Sequence, residues 1–158
     1  MRWLGCVRVN CRKTHMPAPI DAAIEEKVRK SFGKQSMMQT IGATMDSVES
    51  GKVVISAPIL EGFRQQQDLG HGGLVFSLGD TAAGFAALSV MAMDQEVLTV
   101  EVKINLLAPA EGRLTATGRV IKSGKRLVIV AAEVEAINDD GEHTPVAVLQ
   151  GTMIPVNI

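Results

Sequence analysis

Between His71 and Asp94 the chain carries one charged side chain, Asp80, in a run otherwise made of Gly, Leu, Val, Phe, Ser, Thr, Ala and Met. That run is too long for a strand and predicts a helix over Gly73 to Met93. A helix that is apolar nearly all round has to be covered on most sides. A lone carboxylate within it costs several kcal/mol unless something pairs with it or uses it. The segment therefore constrains the fold and also marks the best place to look for a function.

What surrounds the run reads mostly as strand. The apolar residues Ile20, Ala23, Ile24, Val28 and Phe32 recur at spacings of three and four. They predict an amphipathic helix with Asp21 near its start and Gly33 as its stop. Strands are expected at Thr40 to Glu49 and Lys52 to Pro58, joined by the hairpin signal Ser50-Gly51. Glu61 to Gly70 reads as a polar loop. Val97 to Leu107 alternates, with Leu98, Val100, Val102, Ile104 and Leu106 on one face and Thr99, Glu101, Lys103 and Asn105 on the other. Arg113 to Lys122, Arg126 to Ile137 and Thr144 to Ile154 follow, and with Val97 to Leu107 they predict a four-strand meander. Pro145 places the start of its strand at or near an edge. The economical arrangement is α+β, an antiparallel sheet of about five to six strands wrapped around the long helix. Such a sheet has open edges, and pairing with a second copy would cover one.

At 158 residues and 46% apolar the chain fits one domain with a sizeable core. We expect a basic, disordered tail over residues 1–16 and a single domain over 17–158. The net charge of −1 and the scarcity of aromatics argue against a nucleic-acid partner. No apolar run reaches the roughly eighteen residues of a membrane span without polar interruption. Cys6 and Cys11 belong to no His/Cys set at metal spacing, so no metal is expected. A body without cysteine suits a reducing cytoplasm.

On a helix, Ser77, Asp80, Thr81 and Gly84 fall on one stripe, a polar seam in an apolar cylinder. Gly72 and Gly73 stand where a helix start leaves backbone N–H groups without intrahelical partners. Such groups suit a developing oxyanion, and glycine lets a ligand approach closely. Asp80 lies two turns on, about 12 Å along the axis. That is far for one subunit's Gly72 and Asp80 to hold the same carbonyl, and the geometry is easier if they come from different subunits. Taken singly, each residue has a plainer reading. Asp80 could be a structural acid, the glycines a bare junction, His71 a cap or packing residue, and Gln65 a solvated loop residue.

Taken together, Gln65, His71-Gly72-Gly73, Asp80 and the strand Thr99 to Pro109 resemble the PaaI-type acyl-CoA thioesterases of the hotdog fold. The shared pattern is an amide seven positions before the central glycine, a His-Gly-Gly turn, and an acid eight positions after that glycine. The resemblance implies hydrolysis of an acyl-CoA to a free acid and CoA without a cofactor. It makes Asp80 the general base or nucleophile, Gly72 the oxyanion donor and Gln65 the residue that orients the water or the acid. His71, Gly73, Ser77, Thr81 and Gly84 would contact substrate. It also implies a homodimer with sites shared between subunits, and a tetramer of two such dimers. The chain departs from the family at Gln65, where Asn is common, at Asp68 and Gly79, where Gly and Ala are common, and at Gly84, where aryl-specific members carry a hydroxyl. Gly84 points to a roomier acyl pocket. The acyl tail would lie along Phe76, Leu78, Phe85 or Met91 to Met93, and Lys103, Lys122, Lys125 and Arg126 are the cations available for phosphates. The rival readings are an acyl-thioester dehydratase or hydratase of the same fold and a non-catalytic acyl-CoA-binding protein.

Overall fold

Helix α1 (Ala22–Gly33) opens where the Asp21 side chain accepts the Ala23 N–H at 2.8 Å, satisfying a donor that the first turn leaves free. The computed structural model describes residues 20–157, so the basic N-terminal segment, with Cys6 and Cys11, lies outside the described residues. After α1 the expected strand from Thr40 does not begin. A short helix, α2 (Ser36–Thr40), comes first. Met38 and Ile41 explain it: a helical turn sends both to the same side, and they are 2% and 0% exposed. Gly42, at φ +68°, then turns the chain into β1 (Thr44–Glu49), which pairs with β2 (Lys52–Pro58) across the expected Ser50-Gly51 turn.

The long apolar helix is α3 (Gly72–Leu88), shorter at its far end than Met93. Ser89 stops it, donating to the Ala86 carbonyl at 2.7 Å and accepting the Gly51 N–H at 2.8 Å. Four strands follow: β3 (Gln95–Leu106), β4 (Arg113–Ser123), β5 (Val128–Ile137) and β6 (His143–Asn157). The sheet has six strands in the order β1-β2-β4-β5-β6-β3, and all its pairs are antiparallel. The predicted meander holds for β4-β5-β6 only. β3 crosses to the far edge, and β4 joins β2 instead. Covering a helix that is apolar all round requires the strands before it and after it to meet, and the β2–β4 pair makes that join.

Pro145 lies inside the sheet order rather than on an edge strand. It still has an edge environment, because β3 makes its last pair with β6 at Leu106↔Ala147, so the proline faces a strand on one side only. The clean alternation expected along β3 is also broken. The register shifts between Thr99 and Glu101, a β-bulge at Val100. Val97, Val102 and Ile104 pack on the core, whereas Leu98, Val100 and Leu106 are 53%, 55% and 58% exposed. Thr99 is thereby carried to the helix side. Among the described residues no helix is long and apolar enough to cross a membrane.

Two glycines set how close helix and sheet come. A Cβ at Gly118 of β4 would stand 2.2 Å from the backbone of Ala82, and one at Gly79 of α3 would stand 2.7 Å from Leu149. At Gly84 a Cβ would meet nothing within 4 Å. Leu78, Ala82, Leu114, Val130 and Val134 fill the layer between, and Phe32 meets Phe85 edge-on at 5.7 Å. Two alanine variants should therefore differ in sign when measured by chemical denaturation. Gly118→Ala should lose about 3 kcal/mol through overpacking against backbone. Gly84→Ala should gain about 0.5–1 kcal/mol from helix propensity. Equal effects would contradict this packing.

Candidate active site

The stripe predicted on α3 forms. Ser77, Asp80 and Thr81 line one groove of about 500 Å³ together with Phe76 and the α1–α2 segment from Lys34 to Met38. A recess of about 90 Å³ continues from it past Asp80, Thr81 and Gly84 to Val97 and Thr99. Gly84 leaves that recess open, since a side chain there would meet no neighbour within 4 Å. Of the residues expected along an acyl tail, Phe76 lines the groove. Phe85 lines the recess while packing its ring on Phe32, Leu78 and Met91 are core, and Met93 is exposed on a separate groove along α1.

Asp80 is partly buried, and that burial pushes its carboxyl above the ordinary carboxylate range. One contact opposes the shift: Thr99 Oγ1 donates to Asp80 Oδ1 at 3.0 Å and favours the charged form. The bulge at Val100 makes this contact possible, because strict alternation would separate Thr99 from the face that Val102 and Ile104 occupy. Sequence reasoning missed Thr99 for that reason. It also missed Gln35, whose amide residue lines both the groove and the recess beside Asp80. The only signal for Gln35 was an amide just after the Gly33 stop.

The N-terminal end of α3 is built separately. His71 is its cap, with Nδ1 accepting the Gly73 N–H at 2.9 Å, while the His71 carbonyl accepts the Leu74 N–H at 2.9 Å. Gly73 is therefore satisfied within the turn. Among the described residues the Gly72 N–H has no acceptor. Leu106 of β3 packs against this glycine, 3.1 Å from where a Cβ would stand. His71, Gly73, Leu74 and Ser77 share a second groove of about 320 Å³ with Met37, Ile41 and Phe63.

Gln65 occupies a tied loop. Its Oε1 accepts the Gln67 N–H and its own N–H bonds the Leu69 carbonyl, both at 2.8 Å. Asp68, where glycine is common in the family the sequence resembles, has φ +64°, a backbone region that glycine enters more easily. The chain thus gathers Ser77, Asp80, Thr81 and Gly84 midway along the helix and holds Gly72 and Gln65 at its start, Gly72 about 12 Å from Asp80 along the axis. Among the described residues no group of three or more His, Cys, Asp or Glu side chains could hold a metal ion.

The model of the thioesterase superfamily matches residues 69–142, the span from the α3 cap to the β5–β6 turn. A Saccharolobus solfataricus protein named as a candidate esterase is 35% identical over 129 residues, 80% of this chain and 86% of that one. A 1,4-dihydroxy-2-naphthoyl-CoA hydrolase of Listeria monocytogenes is 34% identical over 90 residues, 56% of this chain and 73% of its own. The crystal structure of a thioesterase family protein from Silicibacter pomeroyi superposes with a TM-score of 0.83 at 36% identity, covering 85% of this chain and 99% of that one. The PaaI protein of E. coli, at 22% identity, shares the fold with a TM-score of 0.75 over 85% of this chain and 94% of its own. A sheet wrapped on one apolar helix, an acid midway along that helix and these likenesses agree: the chain belongs to the thioesterase superfamily and has its hotdog fold.

Proposed function

We propose that this protein hydrolyses an acyl-CoA thioester, with Asp80 as the catalytic acid–base group and the Gly72 N–H as the oxyanion donor. The observation that carries the reading is a desolvated carboxylate opening onto a groove in a thioesterase fold. Burial raises the proton affinity of Asp80 and makes it a better base than an exposed Asp. Asp80 takes a proton as water oxygen attacks the thioester carbon, or attacks that carbon itself to give an anhydride that water then opens. The Gly72 N–H stabilises the carbonyl oxygen as it becomes negative. The C–S bond breaks, and the thiolate leaves and takes up a proton. Gln65 positions the water or the acid. The likeness to a CoA-thioester hydrolase supports CoA as the carrier.

The site is read as shared between two copies, paired through β3. That strand is an edge with Leu98, Val100, Leu106 and Leu107 all half exposed, the kind of edge a second chain covers. Thr99 holds Asp80 and Leu106 touches Gly72. Antiparallel self-pairing centred between Val102 and Lys103 sets Thr99 opposite the partner's Leu106. One strand then brings each Asp80 towards the other subunit's helix start. The tetramer would be two such dimers.

Asp80→Asn should lose about a hundredfold or more in kcat for acyl-CoA hydrolysis, read as release of free thiol. The same variant should melt at a higher temperature than wild type at pH 7. Asp80 binds its proton more tightly folded than unfolded, so it contributes stability below the unfolded carboxyl pKa and loses it as pH rises through the raised folded value. The gain from Asn should vanish in acid. An active variant, or a less stable one, contradicts the assignment.

Thr99→Val removes the bond that favours the charged carboxylate. The acid limb of kcat/KM should move to higher pH, with the plateau rate largely kept. A limb that stays in place, or moves to lower pH, means that Asp80 is not the titrating base.

A further inference from the structure

The groove around Asp80 has two unlike ends. Towards the α3 start it runs through Met37 and Ser77 into the groove of Ile41, Phe63 and Leu74, where Arg64 is the one cation among the described residues and His71 caps the helix. In the other direction Lys34 lines both the Asp80 groove and a further groove of about 390 Å³ along α1, with Lys27, Lys30 and Glu96 among its walls. We propose that this second end, at Lys30 and Lys34, is a binding site for the phosphate groups of the coenzyme. The acyl chain then runs the opposite way, beneath α2.

The charges there are not equivalent. Lys27 donates to the Ala92 carbonyl at 2.7 Å, and its burial lowers its proton affinity against the pull of Glu96 and Asp94. Glu96 accepts from Ser31 at 3.2 Å. These groups are occupied with one another. Lys30 and Lys34 form no ion pair among the described residues, although Glu26 shares the groove. They stand one helical turn apart, the spacing at which two side chains share a face. With these two ammonium groups the lysines of the wall outnumber its acids, Glu26 and Glu96, and a net positive groove suits a phosphate, which Lys binds as a point charge. The cations expected from the sequence, Lys103, Lys122, Lys125 and Arg126, line none of the grooves that join at Asp80.

This inference rests on the acyl-CoA reading, and its test separates the two. Two thioesters of the same acid are compared: the acyl-CoA, and the N-acetylcysteamine thioester, which lacks every phosphate. Lys30→Ala/Lys34→Ala should raise KM for the CoA thioester about tenfold with kcat within about twofold. KM for the truncated thioester should not change. Lys30→Arg/Lys34→Arg should stay close to wild type, and added salt should raise the wild-type KM for the CoA thioester only. An equal shift for both thioesters, no shift, or a shift produced instead by Lys122→Ala/Lys125→Ala overturns the proposal. A wild-type protein that hydrolyses neither thioester overturns the acyl-CoA reading, and this one falls with it.

Discussion

The hydrogen bond from Thr99 to Asp80 joins the one charge of α3, partly buried, to the edge strand β3 beside it. Burial drives that carboxyl towards its neutral form, and the threonine hydroxyl restrains the shift. On the proposed reading, these opposed effects set the proton affinity of the catalytic base. The hydrogen bond depends on a single irregularity of the sheet, the bulge at Val100, which carries Thr99 to the core side without moving Val102 or Ile104 off it. A regular β3 would bury Leu98 and Val100 and leave Asp80 with a desolvated charge and no partner. The same bulge leaves apolar side chains on the open edge. One local distortion thus tunes the acid and prepares the surface on which a second subunit is proposed to pair.

The close approach of helix to sheet is the other constraint. Gly118 admits the backbone of α3 and Gly79 admits Leu149, so at these two points the helix comes closer to the strands than a side chain would allow. This closeness also explains Gly79 immediately before the acid, where a Cβ would meet Leu149. Gly84 is different in kind. It faces open space beside the recess, so packing does not require a glycine there.

The stripe of α3 that lines the groove was legible in the sequence because it follows helical periodicity. A lone acid in an apolar run, with Ser77, Thr81 and Gly84 at helical spacing, required nothing beyond local geometry, and His71 proved to be a cap of the kind its position allows. What stayed hidden depends on pairing over long range. Thr99 reaches Asp80 only because a bulge shifts the register, and no glycine marks that bulge. β3 leaves the meander because the sheet has to close over α3, a requirement of the whole fold. α2 is not anticipated from the sequence, and its last residue, Thr40, is expected in the following strand, because Met37 and Met38 carry no helical signature until Met38 and Ile41 are known to be buried together.

The central claim is that Asp80 works with the Gly72 N–H of another subunit. Asp80→Asn removes the base, and Gly72→Pro removes the N–H while suiting the first position of a helix. Each protein alone should be inactive. Dissociated, mixed in equal amounts and reassociated, they should recover about a quarter of wild-type activity, because half of the dimers are mixed and each mixed dimer has one intact site. A mixture that stays inactive while forming mixed dimers would contradict the shared site and return both residues to a single subunit.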